Sequence, residues 1–333
     1  MGLHLHGVGH FHPEIEITNR FLEELDIGTD DAWIQSRVGI RSRRTVLPLD
    51  YIRQTRNREP RAALEAAVYG NAELARRAAE MALARAGIDR DAVGMVIAGT
   101  SAADTAAPAE ACNVASALGL EVPAFDVNSA CTSLFAQLHL LSCMQPDPVR
   151  RFVLLVVPEG LTRTVDYADR SAAVLWGDAA GAAVVSTVEP GRAQILSTSL
   201  ASDPAGCDKV RVPRLGHFEQ NGRAVQAFAI RRSLQVLDGL RRARGLSDSD
   251  RPLHFIGHQA NLRMLEAVCR EGRIAPECHH TNVTEYGNTG AASVATVLSM
   301  HWEKWTSEQD VALVGVGAGL TWGGCLVRFK GPA

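Results

Sequence analysis

Hydrophobic positions along the chain fall into short unbroken runs separated by longer periodic segments. Residues 94–100 read Gly-Met-Val-Ile-Ala-Gly-Thr, an apolar run of strand length without polar alternation, as expected for a strand covered on both faces. Residues 152–157, 182–187, 253–257, 311–316 and 324–329 have the same character, and 3–8 and 124–127 read as further strands. Between them lie helical patterns. One runs over 62–86, interrupted near Gly70 and ending at Gly87, a residue suited to a left-handed C-terminal cap. Others cover 108–118, a run from Leu134 to Leu141, 224–244 ending at Gly245, 262–271 and the small-residue stretch 291–300. Asp30-Asp31-Ala32-Trp33 predicts a short helix with acids in its first turn. Residues 41–61 are basic and irregular, and read as a surface excursion. Strands alternate with helices in both halves, which predicts an α/β layer structure. Turn chemistry at Glu189-Pro190-Gly191 places the division between residues 1–189 and 190–333.

Composition narrows the function classes. The chain has 333 residues, 46% of them hydrophobic, ample for a large core. A net charge of -3 argues against a nucleic-acid partner. No apolar stretch reaches membrane-spanning length, and the N-terminus lacks a basic segment followed by an apolar run, so neither a signal peptide nor a membrane partner is expected. The expectation is a cytoplasmic protein whose seven cysteines, odd in number and without a C-x-x-C pair, are reduced thiols. His4, His6, His10 and His12 invite a metal reading. Without an acidic or cysteine partner at ligand spacing, and with period two placing them on one strand face, no metal site is expected.

One cysteine stands apart. In Asp126-Val127-Asn128-Ser129-Ala130-Cys131-Thr132-Ser133 a strand gives way to small polar residues and then to a helical run. Cys131 is thereby placed at a helix start, where main-chain N–H groups and the helix dipole lower a thiol's pKa and can hold an oxyanion. This turn alone leaves a catalytic thiol and a buried packing thiol equally open. Two further residues occupy comparable positions. His258 ends the strand of Phe255-Ile256-Gly257-His258-Gln259-Ala260-Asn261, and Asn288 lies in Tyr286-Gly287-Asn288-Thr289-Gly290 ahead of the small-residue helix. A thiol, an imidazole and an amide at strand ends occupy the places where α/β folds put chemistry.

At these residues the chain resembles the β-ketoacyl-acyl-carrier-protein synthase III family of the thiolase superfamily. The resemblance is carried by Trp33-Ile34-Gln35-Ser36-Arg37-Val38-Gly39-Ile40-Arg41, by Phe125 to Cys131, by His258-Gln259-Ala260-Asn261-Leu262-Arg263, by Gly287-Asn288-Thr289-Gly290-Ala291-Ala292-Ser293 and by Gly317-Ala318-Gly319-Leu320-Thr321-Trp322-Gly323, in family order. It implies a thiolase fold, two pseudo-symmetric βαβαβαββ halves in five layers, α-β-α-β-α, and a homodimer. It implies an acyltransferase without a cofactor, using acyl-CoA as substrate. Cys131 would take an acyl group from the coenzyme A thioester. Malonyl-acyl carrier protein would then bind, with His258 and Asn288 donating to its thioester carbonyl while decarboxylation generates the carbanion. The oxyanion hole would be the N–H groups of Cys131 and Ala318. For coenzyme A binding the resemblance implies Thr29, Trp33, Arg37 and Arg170, with Asn261 close to His258.

Departures from the family pattern gather where substrates are chosen. Ala318 stands where the family usually has the middle of three glycines. Gln220 and Gln226 replace Met and an aromatic residue, and Ala107 replaces a residue that is often bulky, so these positions are expected to shape the acyl pocket. A family basic position matches Ala227, which leaves carrier-protein docking to Arg263 with Arg223, Arg231 or Arg232 as neighbours. Residues 46–71 form a longer connection than usual, with Arg53, Arg56, Arg58 and Arg61, and read either as solvated surface or as a contact for an acidic carrier protein or coenzyme A phosphates. Specialised rather than housekeeping metabolism is the expectation. The alternatives are transfer of the acyl group to a hydroxyl or amine without decarboxylation, and a non-catalytic subunit of the same fold. A papain-like hydrolase lacks support in the residues around Cys131.

Overall fold

The computed structural model describes residues 2–214, 216–246 and 251–330. In the first half, strand β1 (Leu3–Phe11) leads by way of helices α1 (Asp31–Arg37), α2 (Pro60–Ala66) and α3 (Asn71–Ala86) to β2 (Val93–Ala98). Then follow α4 (Glu110–Leu118), β3 (Ala124–Asp126), α5 (Ser133–Cys143), β4 (Phe152–Glu159) and β5 (Ala179–Ser186). The second half runs β6 (Ala193–Ser202), α6 (Gly222–Arg244), β7 (Leu253–Gly257), α7 (Leu262–Glu271), α8 (Ala292–Met300), β8 (Asp310–Gly317) and β9 (Thr321–Phe329).

The two halves repeat one topology. The first orders its strands β3-β2-β4-β5-β1, with β2 parallel to β3 and β4, and β5 antiparallel to β4 and β1. The second orders β7-β8-β9-β6 with the same pattern of directions. Its counterpart of β3 is reduced to a single parallel bridge between Phe255 and His279. An antiparallel contact of Leu3, His4 and Leu5 with Ile195, Gln194 and Ala193 joins β1 to β6 and makes one continuous sheet. Helices α3 and α4 cover the outer face of the first half and α6 and α7 that of the second, while α5 and α8 lie between the halves. These are the five layers of the thiolase fold.

Position explains composition. Every residue of α8 from Ala292 to Ser299 is buried, because sheet lies on both sides of it, and this narrow layer is filled mostly by small and β-branched side chains. Glycine is required in β1 for the same reason. A Cβ at Gly7 would lie 2.1 Å from the Ala82 carbonyl oxygen and one at Gly9 2.0 Å from that of Ala78, so α3 rests directly on the strand backbone.

One expectation needs correcting. Residues 41–61 are not simply a surface excursion. Ser42–Thr45 pairs with Ile15–Thr18, and Arg43, Val46, Leu47 and Ile52 are fully buried. The Arg43 guanidinium crosses this core to the Val174 carbonyl at 3.1 Å and to Asn19 at 2.5 Å, and burial pulls its pKa down to about 9. The helix expected over 62–86 with an interruption near Gly70 is the pair α2 and α3, separated at 67–70. Strand β6 lacked a sequence signal: its Gln, Ser and Thr residues leave it half exposed, and its place is set by pairing with β9 and β1. The histidines of the first segment find separate partners, although the His10 and His12 rings lie 5.5 Å apart. His6 Nε2–H donates to the Glu189 carbonyl at 3.1 Å, His10 meets the Ser299 hydroxyl at 2.7 Å, and His12 stacks on Tyr286.

Candidate active site

Ala130 holds the nucleophile turn in a left-handed conformation, φ 48°, an uncommon state for a residue with a Cβ and one that marks strained functional turns. Asn128 steadies it by accepting from the Ala130 N–H at 2.8 Å. Cys131 follows, one residue before Thr132, which caps α5. The thiol is not lowered as helix-start chemistry suggests. Burial, reinforced by the Glu159 carboxylate, pushes it up to about 12, since removing a thiolate from water outweighs the dipole.

His258 terminates β7 and is buried, with Nδ1 2.8 Å from the Ser293 hydroxyl on α8. Burial pulls the imidazole down to about 4, so it is neutral near pH 7. A Ser293 hydroxyl that donates to Nδ1 leaves the ring proton on Nε2. Asn288 is held by its main chain, whose N–H reaches the Leu175 carbonyl at 2.8 Å and whose carbonyl accepts from Gly177 at 3.0 Å. Its Oδ1 accepts from the Gly290 N–H at 3.0 Å, which leaves Nδ2 as the end available to a substrate oxygen.

The turn between β8 and β9 completes the group. A Cβ on Gly317 would lie 3.1 Å from the Cys131 nitrogen, so this turn abuts the nucleophile. Hydroxyls join the two: Ser129 to Thr132 at 2.8 Å, Thr132 to Thr321 at 2.8 Å, and Thr321 to the Ala318 carbonyl at 3.0 Å.

Cys131, His258, Asn288 and Ala318 wall a single cavity of about 280 Å³. Trp33, Arg37, Asn261, Gln220 and Gln226 also line it. Asn261 additionally caps α7, accepting from the Met264 N–H at 2.8 Å. Arg170 lies outside the cavity wall, its guanidinium 4.9 Å from the Trp33 ring centroid while it donates to the Gly28 carbonyl. A planar base stacked between two flat groups needs them about 7 Å apart, so Trp33 and Arg170 must separate to hold one between them. Thr29 sits beside this pair, its hydroxyl buried and without a partner. Ala107 is exposed and away from this cavity. Arg263 is exposed on α7, paired with Glu266 at 3.0 Å and donating to the Gln35 carbonyl at 2.8 Å. Arg232 packs over the Trp322 ring and is occupied there, Arg231 is exposed, and the Arg223 side chain lies outside the described residues. The long connection contributes elsewhere: Pro60, Arg61 and Leu64 on α2 help wall a second cavity of about 530 Å³ that also includes Ser101 and Asn128.

Ser293, Glu159 and the Thr132–Thr321 pair carry no role in the sequence reading. Only Glu159 leaves a trace there, as a carboxylate ending the otherwise apolar segment 152–158. Removing the Ser293 hydroxyl releases the tautomer, and S293A is expected to lower kcat about tenfold with KM little changed; an unchanged kcat would argue that the ring needs no such partner.

Burial has a consequence for stability. His10 and His258 are pulled down to about 4 and His280 to about 3, each chiefly by desolvation. Below their unfolded pKa near 6.5 the unfolded chain takes up protons that the folded chain refuses, so stability falls with pH through that window. Glu159 and Asp178, pushed up by burial to about 7 and about 6, act in the opposite sense. The histidines outnumber them, and a lower Tm at pH 5 than at pH 7 is expected in thermal melts; an equal or higher value would reverse that balance.

Comparison with known proteins bears on the family and the fold. The family model for 3-oxoacyl-[acyl-carrier-protein] synthase III matches residues 125–204, and that for its C-terminal part matches residues 243–329. The β-ketoacyl-[acyl-carrier-protein] synthase III of Natranaerobius thermophilus is 32% identical, covering 95% of this chain and 96% of its own. That of Bacillus pumilus is 33% identical, covering 97% of each. The crystal structure of 3-oxoacyl-(acyl carrier protein) synthase III from Pseudomonas aeruginosa superposes with a TM-score of 0.86 at 32% identity, covering 100% of both chains. A priming β-ketosynthase from a polyketide biosynthetic pathway gives 0.82 at 26% identity, covering 100% of this chain and 97% of its own. The motifs, the repeated topology and these matches together make the chain a member of the β-ketoacyl-acyl-carrier-protein synthase III family, acyltransferases built on the thiolase fold.

Proposed function

We propose that the protein loads an acyl group from acyl-CoA onto Cys131 and condenses it with malonyl-acyl carrier protein to a β-ketoacyl product. The observation that supports this best is that Cys131, His258, Asn288 and Ala318 wall one cavity with Trp33 and Arg37. Cys131 sulfur attacks the thioester carbonyl, and the oxyanion is held by the N–H groups of Cys131 and Ala318. Coenzyme A departs, taking the thiol proton in the net reaction. Malonyl thioester then enters. The Nε2–H of His258 and the amide of Asn288 donate to its carbonyl, carbon dioxide leaves, and its bonding electrons pass into the enolate. The enolate carbon attacks the acyl carbonyl, and Cys131 leaves as a thiolate and is reprotonated. A neutral imidazole suits this role because it donates without bringing a charge that must be neutralised.

Thr29, Trp33, Arg37, Arg170 and Asn261 would serve coenzyme A, Gln220 and Gln226 the more polar mouth, and Arg263 the carrier protein. Ala107 would act on the acyl pocket only in a homodimer, from an interface. The halves would divide near 189–190, and the enzyme would work in the cytoplasm without a cofactor. Among the described residues no helix is long and apolar enough to cross a membrane.

The test is intact mass after incubation with a panel of acyl-CoAs, followed by malonyl-acyl carrier protein. Acylation at Cys131 and release of a β-ketoacyl product support the proposal. An acyl-enzyme that malonyl-acyl carrier protein cannot discharge would indicate a hydroxyl or amine acceptor instead. Absence of acylation by every thioester would overturn both readings.

A further inference from the structure

Glu159 ends β4 fully buried, and the chemistry above does not use it. Its carboxylate accepts from the Ser101 N–H at 3.1 Å, the Ser101 hydroxyl at 2.9 Å and the Thr100 hydroxyl at 3.2 Å, all in the loop after β2. It also accepts from the Ala291 N–H at 3.0 Å, at the start of α8. The Asn288 turn presses against it: Gly290 has φ 55°, and a Cβ there would lie 2.9 Å from Glu159 Oε1. The carboxylate thus fastens β4, the loop after β2 and the turn carrying Asn288 to one another.

Among the described residues no cation is bonded to it. Its charge acts on Cys131 in the nucleophile turn, the loop supplies the two hydroxyls, and α8 a main-chain N–H. Arg163, in the turn after β4, is committed to Asp104 at 2.6 Å and to the Gly160 carbonyl at 3.0 Å. A carboxylate without an ion partner is costly to bury, and hydrogen bonds from oriented neutral groups only partly offset that cost. Resting on the proposed roles of Cys131 and Asn288, we infer that Glu159 is a positioning residue that keeps Asn288 in register with the nucleophile and sets the electrostatic field at Cys131. Burial pushes the Glu159 carboxyl up to about 7, so near neutral pH both its charged and neutral forms are populated. In the charged form it opposes thiolate formation at Cys131; in the neutral form it does not.

The inference requires two activities to move in opposite directions. Alkylation of Cys131 by iodoacetamide, followed by peptide mass across a range of pH, reads the thiol. Steady-state condensation reads the aligned site. In E159Q, alkylation at fixed pH above 7 is expected to be about tenfold faster, equivalent to about one pH unit. Condensation kcat is expected to fall about a hundredfold through loss of register. E159D keeps the charge but retracts it, so its alkylation profile should stay where the wild type's is while kcat falls. If E159Q alkylation is unchanged, or alkylation and condensation fall together, the residue is merely structural and the inference is overturned. An unchanged kcat also overturns it. Should E159Q not fold, E159D decides alone: a shifted alkylation profile or an unchanged kcat defeats the inference. If the wild type does not condense at all, the functional proposal fails, while the alkylation profiles still report on Glu159.

Discussion

Alanine at His258 or at Asn288 is expected to leave Cys131 able to accept an acyl group while lowering condensation about 10²–10³-fold in each case. The separation follows from the geometry. In the proposed reaction the carbonyl attacked during acylation is served by the N–H groups beside Cys131, whereas the malonyl carbonyl needs the imidazole and the amide. Both donors are oriented before substrate arrives. Ser293 fixes the His258 ring at 2.8 Å, and Gly290 fixes the Asn288 amide at 3.0 Å. Because His258 is held down to about 4 by burial, its donor N–H persists unchanged across the neutral range. The two residues act on one oxygen, so the double variant should lose less than the product of the single losses. Intact mass after acyl-CoA gives the first half-reaction, and discharge by malonyl-acyl carrier protein gives the second. Equal loss of both half-reactions in either variant would remove the assignment of these residues to the second step.

The largest effect on stability is expected far from the cavity. D310A should cost about 3–5 kcal/mol, the range for breaking a buried ion pair by removing one partner. Asp310 opens β8 at 0% side-chain exposure, and so does the Arg244 side chain that donates to it from the end of α6 at 2.7 Å. Arg328, its cross-strand partner on β9, adds bonds of 2.7 and 2.9 Å. The carboxylate therefore ties the outer helix of the second half to the sheet at one point. Arg244 also donates to the Arg251 and Pro252 carbonyls. Asparagine keeps an acceptor of the same shape, and D310N should lose less. Denaturant midpoints at unchanged m-value measure both variants; a D310A loss below about 1 kcal/mol would show that the network is dispensable.

The acid expectation and the S293A expectation test the same idea on different scales. Water exclusion sets the protonation of His258, and a local hydroxyl sets its tautomer. Neither is visible in the spacing of His258 and Ser293, which are 35 positions apart.

Local chemistry was legible directly. Uninterrupted apolar runs marked β2, β4, β7 and β8 because those strands are covered on both faces. Gly87 and Gly245 marked helix ends because both adopt left-handed conformations there, φ 65° and 69°. Cys131, His258 and Asn288 were legible as strand-end residues, and the surrounding motifs supplied the family. What could not be read from sequence depended on neighbours distant along the chain. Strand β6 is polar and takes its place from β9 and β1. Arg43 reads as a surface cation, yet its bonds to Val174 and Asn19 draw it into a core. The direction of the Cys131 shift reversed because burial and Glu159, not the helix start, dominate its surroundings. Sequence by itself determined the alternation of elements, the turns and the candidate reacting side chains, since each follows from local backbone and side-chain preference. Tertiary structure alone decided protonation, tautomer and alignment, since these depend on water exclusion and on bonds between segments that meet only in the folded chain.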